Sequence, residues 1–347
     1  MPGVEKVEIP SLVEGVRDKQ DWEKRKRPEI VAAWTKILGK LEPAPEDKKW
    51  IGDIRQARIL KTEELPAYTR ITLELPMEVD YWKPYLLLVP KNKANGKRPA
   101  VIAWTSSTPD WRKPEEWWGA WLAERGCVVL TGWSHIRGYR DGTTARNGAS
   151  EKLYERFGRW SGMGRMVWEV RREAEFLRAR PDVDASRIGF MGMSLSAKTA
   201  IYVGAFAPEI AATVAVDAHV ALNGGTNYFD PWYLDWTKDW GGFTVQSLLD
   251  ADPSRPGFEH DHHELLALTA PRPFLLIGGS LSEDAGGDSD DQQSWGYVNR
   301  AKEVYKLVGV PDRLQFVLTG DGHKANGPNI DPAWRGFITK WLRLPVN

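Results

Sequence analysis

The chain has 347 residues, long enough for one large α/β core, and its 47 Lys plus Arg are balanced by 47 Asp plus Glu. No net field then favours nucleic acid or an anionic membrane surface, and neither is expected as a partner. Apolar runs such as Tyr85 to Val89 fall far short of the roughly 18 residues a spanning helix needs, so a membrane protein is not expected. The single cysteine, Cys127, cannot form an internal disulfide and reads as a buried, inert thiol in an apolar strand. No basic and then apolar leader follows Met1, which leaves the compartment open between cytoplasm and secretion with the leader removed.

Residues 1–97 read as an N-terminal extension packed on a main domain that spans 98–347. Asp21 to Leu41 carries Ile30, Ala33, Trp34, Ile37 and Leu41 at helical spacing, and Pro43 and Pro45 stop it. Ala57 to Leu60, Tyr68 to Leu75 and Tyr85 to Val89 follow as antiparallel edge strands broken by Pro66, Pro76, Pro84 and Pro90. From residue 98 strands and helices alternate. Strands are expected near 99–105, 127–131, 187–192, 211–216, 273–279 and 314–319, and helices near 114–125, 164–180, 197–206, 264–268 and 297–308, before a closing helix bearing Trp334, Phe337, Ile338, Trp341 and Leu342. This pattern implies an α/β fold with a mostly parallel central sheet covered on both faces and a site at the strands' carboxyl ends. An aromatic, lid-like insertion from His219 to about Asp261 interrupts it. Among its rings, Trp232 and Trp236 are candidates for stacking on a sugar, the sharper reading of a chain with 18 tryptophans; ordinary packing is the plainer one.

The chemistry centres on Gly192-Met193-Ser194-Leu195-Ser196, a strand-to-helix bend with small residues two before and two after a serine. Such a bend exposes the hydroxyl above a sheet and aims the next backbone N–H at the same space. Ser194 is therefore the candidate nucleophile and the Leu195 N–H one oxyanion donor, with a second from Thr105 or Ser106 after the strand ending there. His323, bracketed by Gly320 and Gly322 just beyond the last strand, is the candidate base. Two carboxylates compete to orient it. Asp284 lies in the acidic loop after the strand 273–279, and Asp217 stands at the tip of the strand ending at Val216, 23 residues beyond the serine. The run His260-Asp261-His262-His263-Glu264 invites a metal reading, but no complementary distant ligand stands out. It is read as capping a helix start, with no metal or other cofactor expected.

Three further stretches carry a resemblance: Glu169 to Gly189 ahead of the nucleophile, Ala270-Pro271-Arg272-Pro273, and Gly320-Asp321-Gly322-His323. With the serine bend they make residues 98 to 343 similar to the α/β-hydrolase superfamily, in the esterase branch of acetylxylan esterases, glucuronoyl esterases and dienelactone-hydrolase-like proteins. The glucuronoyl esterase bend reads Gly-x-Ser-Arg-x-Gly-Lys, which Gly192, Ser194 and Lys198 match, and the match makes Lys198 a candidate substrate-binding residue. Leu195 replaces the arginine expected to assist at the oxyanion, which counts against a full glucuronoyl esterase. In those relatives an acid can lie where Asp217 falls, whereas most of the superfamily uses the address of Asp284; Asp284 is preferred on that ground. The resemblance implies a serine carboxylic-ester hydrolase working through an acyl-enzyme without a cofactor, on a small-molecule or carbohydrate ester, acetyl or uronate. The alternatives are a serine peptidase of the dipeptidyl-peptidase type, which usually carries a β-propeller ahead of the hydrolase, and a non-catalytic hydrolase-fold binding protein, which usually lacks the serine or the histidine.

Overall fold

The computed structural model describes residues 9–345 except 94–95, 109, 134–145, 159, 222–259 and 282–288, and only the backbone of 146–151. Its strands are β1 (Arg58–Glu64), β2 (Tyr68–Glu78), β3 (Tyr81–Pro90), β4 (Arg98–Trp104), β5 (Val128–Gly132), β6 (Val183–Met193), β7 (Ala212–Val216), β8 (Phe274–Gly278) and β9 (Leu314–Leu318). They form one sheet in the order β1-β2-β3-β5-β4-β6-β7-β8-β9. From β5 to β9 neighbouring strands are parallel, and β1, β2, β3 and β5 pair antiparallel.

Among the described residues the α-helices of five or more residues are α1 (Arg27–Leu38), α2 (Ala120–Glu124), α3 (Arg146–Phe157), α4 (Gly162–Ala179), α5 (Leu195–Phe206), α6 (His262–Thr269), α7 (Ser294–Leu307) and α8 (Ile330–Leu342). Successive side chains of a strand point to opposite faces, and β4 shows the result. Ala100, Ile102 and Trp104 join one core with residues of α1, α4, α5, α6 and α7. Val101 and Ala103 join a second core with residues of α2 and α8. Both faces being covered, β4, β5, β7 and β8 read as mostly apolar runs. No helix among the described residues is long and apolar enough to cross a membrane.

The structure differs from the sequence reading in the first half of the chain. β2 and β3 run through Pro76 and Pro84, which the sequence reading takes as breaks, and β3 pairs with β5, so the extension's strands continue the main sheet. The prolines sit where the ladders are incomplete: the register shifts between Pro76 and Glu78, and β5 meets β3 only at Leu87 and Leu88. Helix α3 is not anticipated; among its described side chains the buried apolar ones are Leu153, Tyr154 and Phe157. Of the expected insertion, residues 222–259 lie outside the described residues, Trp232 and Trp236 among them.

A buried ionic network fastens α4 to the antiparallel strands. Lys83 of β3 donates to Glu169 at 2.8 Å and to Glu173 at 3.2 Å. Arg165 bonds Glu169 at 3.1 Å and Glu78 at 2.8 Å. Glu173 also accepts from the Tyr85 hydroxyl at 2.6 Å and from Trp104 Nε1 at 2.7 Å, which pins the end of β4. Lys83, Arg165, Glu169 and Glu173 are fully buried, and burial pushes the Glu173 carboxyl up to about 7. The folded protein therefore holds a proton there that the unfolded chain releases near 4.5, and this group's contribution to stability falls as pH rises through that window. Lys83→Met leaves the buried Glu173 without its cation and Glu169 with Arg165, and should cost about 3–5 kcal/mol in chemical denaturation at neutral pH. Glu173→Gln keeps the shape without the charge; its stability relative to wild type should increase from pH 5 to pH 7.5.

Candidate active site

β6 ends at Met193 and α5 begins at Leu195, so Ser194 makes the whole connection, with φ 56° and ψ −115°. Room for so sharp a turn comes from Gly192: a Cβ there would lie 2.2 Å from the Ser196 carbonyl oxygen. The turn is held from both sides, by the Ser194 N–H donating to the Val216 carbonyl at 3.0 Å and by the Lys198 N–H donating to the Ser194 carbonyl at 2.9 Å. The Ser196 hydroxyl, fully buried, donates to the Thr105 carbonyl. It ties the first turn of α5 to the end of β4.

Three strands on, β9 leads into a turn with Gly320 at φ 71° and Gly322 at φ 78°, and His323 follows. The Gly322 N–H donates to the Gly279 carbonyl at 2.9 Å. That approach is so close that a Cβ on Gly279 would meet the Gly322 oxygen at 2.3 Å. His323 Nε2 then lies 3.0 Å from Ser194 Oγ, and its Nδ1 lies 2.6 Å from Asp217 Oδ2. An Nδ1–H that donates to a carboxylate leaves Nε2 as the acceptor for the serine hydroxyl.

Asp217 is the first residue past β7, at φ 62° and buried. Besides the imidazole it accepts from the Gly279 N–H at 3.2 Å, the Asp290 N–H at 2.7 Å and the Ser289 hydroxyl at 2.8 Å. Four donors satisfy a carboxylate fully without a proton of its own. The structure thus brings Ser194, His323 and Asp217 together, whereas Asp284, the acid preferred from the sequence, lies outside the described residues. Of the expected oxyanion donors, the Leu195 N–H is the first of α5 and has no preceding turn to bond. Thr105 is not available, because its N–H extends the sheet by donating to the Gly132 carbonyl at 3.0 Å. The Ser106 N–H, one residue beyond the ladder, has no acceptor among the described residues. Lys198 is buried one turn past Ser194.

Sequence reasoning passes over Ser196, Ser289 and Asp290, which look like a lost glycine and part of a solvated acidic loop. It also sets aside His219, whose ring lies 5.6 Å from that of His323. The histidine-rich run serves packing. Asp261 caps α6, His260 pairs with Glu264 at 2.9 Å, and Glu264 takes Trp34 Nε1 at 2.7 Å. His262 is held between the Tyr202 hydroxyl at 2.8 Å and the Val220 carbonyl at 2.9 Å, and burial pushes it down to about 3. Among the described residues no three His, Cys, Asp or Glu side chains gather as a metal requires. Several tryptophan faces are already covered by cations: Arg58 lies 3.4 Å from the Trp82 ring centre, and Arg125 and Arg335 lie 3.9 and 5.2 Å from that of Trp121.

A family model described as "Glucuronyl esterase, fungi" matches residues 89–309. A 4-O-methyl-glucuronoyl methylesterase of Wolfiporia cocos is 27% identical over 199 residues, covering 52% of this chain and 46% of the relative. One from Phanerochaete chrysosporium is 26% identical over 274 residues, covering 72% and 56%. The chain thus spans about half the length of these relatives. Among solved structures, a glucuronoyl esterase from Solibacter usitatus superposes with a TM-score of 0.71 over 99% of this chain and 98% of that one, at 17% identity.

Ser196→Ala removes the donor from the Thr105 carbonyl while leaving Ser194 in place. A lost bond to a buried acceptor should cost about 1–3 kcal/mol in chemical denaturation, and fluorophosphonate labelling of Ser194 should slow. Ser196→Thr, which keeps the hydroxyl, should recover part of both.

Proposed function

Since the chain belongs to the glucuronyl esterase family, we propose that it hydrolyses carboxylic esters of a uronic acid carried by carbohydrate, with Ser194 as nucleophile, His323 as base and Asp217 as the orienting acid. The observation that carries this reading is the hydrogen-bonded series from Ser194 Oγ through the His323 imidazole to Asp217. The choice of a uronate ester is supported by relatives named 4-O-methyl-glucuronoyl methylesterase. Leu195, which the sequence reading counts against a full glucuronoyl esterase, stands in a chain that the family model matches over residues 89–309. The Leu195 side chain is buried in the core, so at this position only its backbone N–H serves the oxyanion.

In this mechanism the Ser194 hydroxyl passes its proton to Nε2 as Oγ bonds to the ester carbon, and the carbonyl oxygen becomes an oxyanion facing the N–H groups of Leu195 and Ser106. The imidazolium formed is stabilised by the Asp217 carboxylate, whose other donors hold it in line. Collapse breaks the bond to the alcohol oxygen, which leaves with the proton from Nε2, and the uronoyl group stays on Ser194. Water then gives a proton to Nε2 as its oxygen bonds to the acyl carbon, and collapse breaks the bond to Ser194 Oγ, which takes that proton back from Nε2 as the uronic acid leaves. Trp232 and Trp236 in the insertion and Lys198 behind the nucleophile are assigned to substrate binding in the same proposal.

Purified protein should hydrolyse methyl glucuronate esters in preference to acetylated sugars and p-nitrophenyl acetate. Ser194→Ala should abolish turnover, and Asp217→Asn should lower kcat by up to about four orders of magnitude with folding intact. Normal turnover by Ser194→Ala would end the serine-hydrolase reading; preference for acetylated sugars would move the substrate to acetyl esters. Asp284→Asn should leave kcat near wild type.

A further inference from the structure

Asp290 takes no part in the proton transfers above, yet it grips the segment that carries Asp217. Its Oδ2 accepts the His219 N–H at 2.8 Å and its Oδ1 accepts the Val220 N–H at 2.7 Å. Oδ1 also takes the Ser294 hydroxyl at 2.8 Å, and the Asp290 N–H itself donates to Asp217 Oδ1 at 2.7 Å. The gripped turn is unfavourable on its own, with Asp217 at φ 62° and His219 at φ 56°, conformations that side-chain-bearing residues adopt at a cost. His262 holds the opposite side of the same turn through the Val220 carbonyl.

A carboxylate is a costly choice for this position. Burial and the neighbouring charge of Asp217 push the Asp290 carboxyl up to about 6. If Asp290 only filled space, an amide of the same shape would avoid both penalties. What an amide lacks is acceptor capacity: Asp290 takes three donors on two oxygens, and an amide presents one oxygen.

We propose that Asp290 is a positioning residue for the ester hydrolysis described above: its carboxylate clamps the left-handed turn Asp217–His219 and so keeps the Asp217 carboxylate on His323 Nδ1. The proposal rests on the serine-hydrolase reading. It gives the segment after β8 a part in the site at one remove, through the acid on the neighbouring strand.

The test compares wild type with Asp290→Asn and Asp290→Ala, with Asp217→Asn as reference, after thermal melts show each variant folded at the assay temperature. Three readouts are taken: kcat and KM on a methyl glucuronate ester, the rate of Ser194 labelling by a fluorophosphonate, and the downfield proton resonance of His323 Nδ1–H. Asp290→Asn should lower kcat about 10- to 100-fold, the scale of a misplaced catalytic group, with KM within about twofold. Labelling should slow in parallel, and the resonance should shift or disappear. A folded Asp290→Asn with wild-type kcat, labelling and resonance overturns the proposal, and so does one that only melts earlier. If wild type hydrolyses no uronate ester, the substrate reading fails alone, because the labelling rate and the resonance still decide the role of Asp290. If Asp290→Asn does not fold, Asp290→Ala is read by the same three measurements.

Discussion

The site depends on backbone held where side-chain-bearing residues resist going. Among the described residues only four non-glycine residues have positive φ, and three of them, Ser194, Asp217 and His219, stand at the carboxyl edge of the sheet. Each such conformation costs on the order of 1–3 kcal/mol and persists only when its surroundings over-determine it. The surroundings here are specific. Val216 and Lys198 bracket Ser194, and the donors from Gly279, Ser289 and Asp290 converge on Asp217. His262 closes on Val220 from the far side. The glycines that matter, Gly192 and Gly279, are those that let these restraints approach.

How far the sequence discloses this varies with the physics. The inner parallel strands are legible because both faces are buried, so β4, β5, β7 and β8 carry mostly apolar runs bounded by turn residues. The bend at Ser194 and the turn before His323 are legible because their glycines are spaced as close backbone approach requires. The acid is not. Whether Asp217 faces the imidazole depends on a left-handed turn that an aspartate neither signals nor forbids, and on donors more than 60 residues further along the chain. Thr105 fails as a donor for a similar reason, since the ladder with β5 reaches one residue beyond the end of β4.

The ionic network under β3 and β4 escapes sequence reading altogether. Glu169 and Glu173 lie off the apolar stripe of Met163, Val167, Val170, Ala174 and Leu177, where a surface helix would turn them to water. Helix α4 is instead buried around most of its circumference, and Lys83 from an antiparallel strand meets them there. Long-range pairing of this kind leaves no local periodicity. The tryptophans carry a related lesson: a partly exposed ring is unavailable for stacking when a guanidinium already lies on it, as with Trp82 and Trp121.

The arrangement of the sheet has a consequence for how the protein is made. Ser194 follows β6, Asp217 follows β7, Ser289 and Asp290 come after β8, and His323 follows β9, the outermost parallel strand. Parallel neighbours cannot be joined by a tight hairpin, so each must wait for its crossover before it can dock. A ribosome that has released everything through β8 has produced a serine with no histidine beside it. The series from Ser194 through His323 to Asp217 is complete only when the last strand zips onto the edge, so for the reaction proposed above the nascent polypeptide stays inert until then.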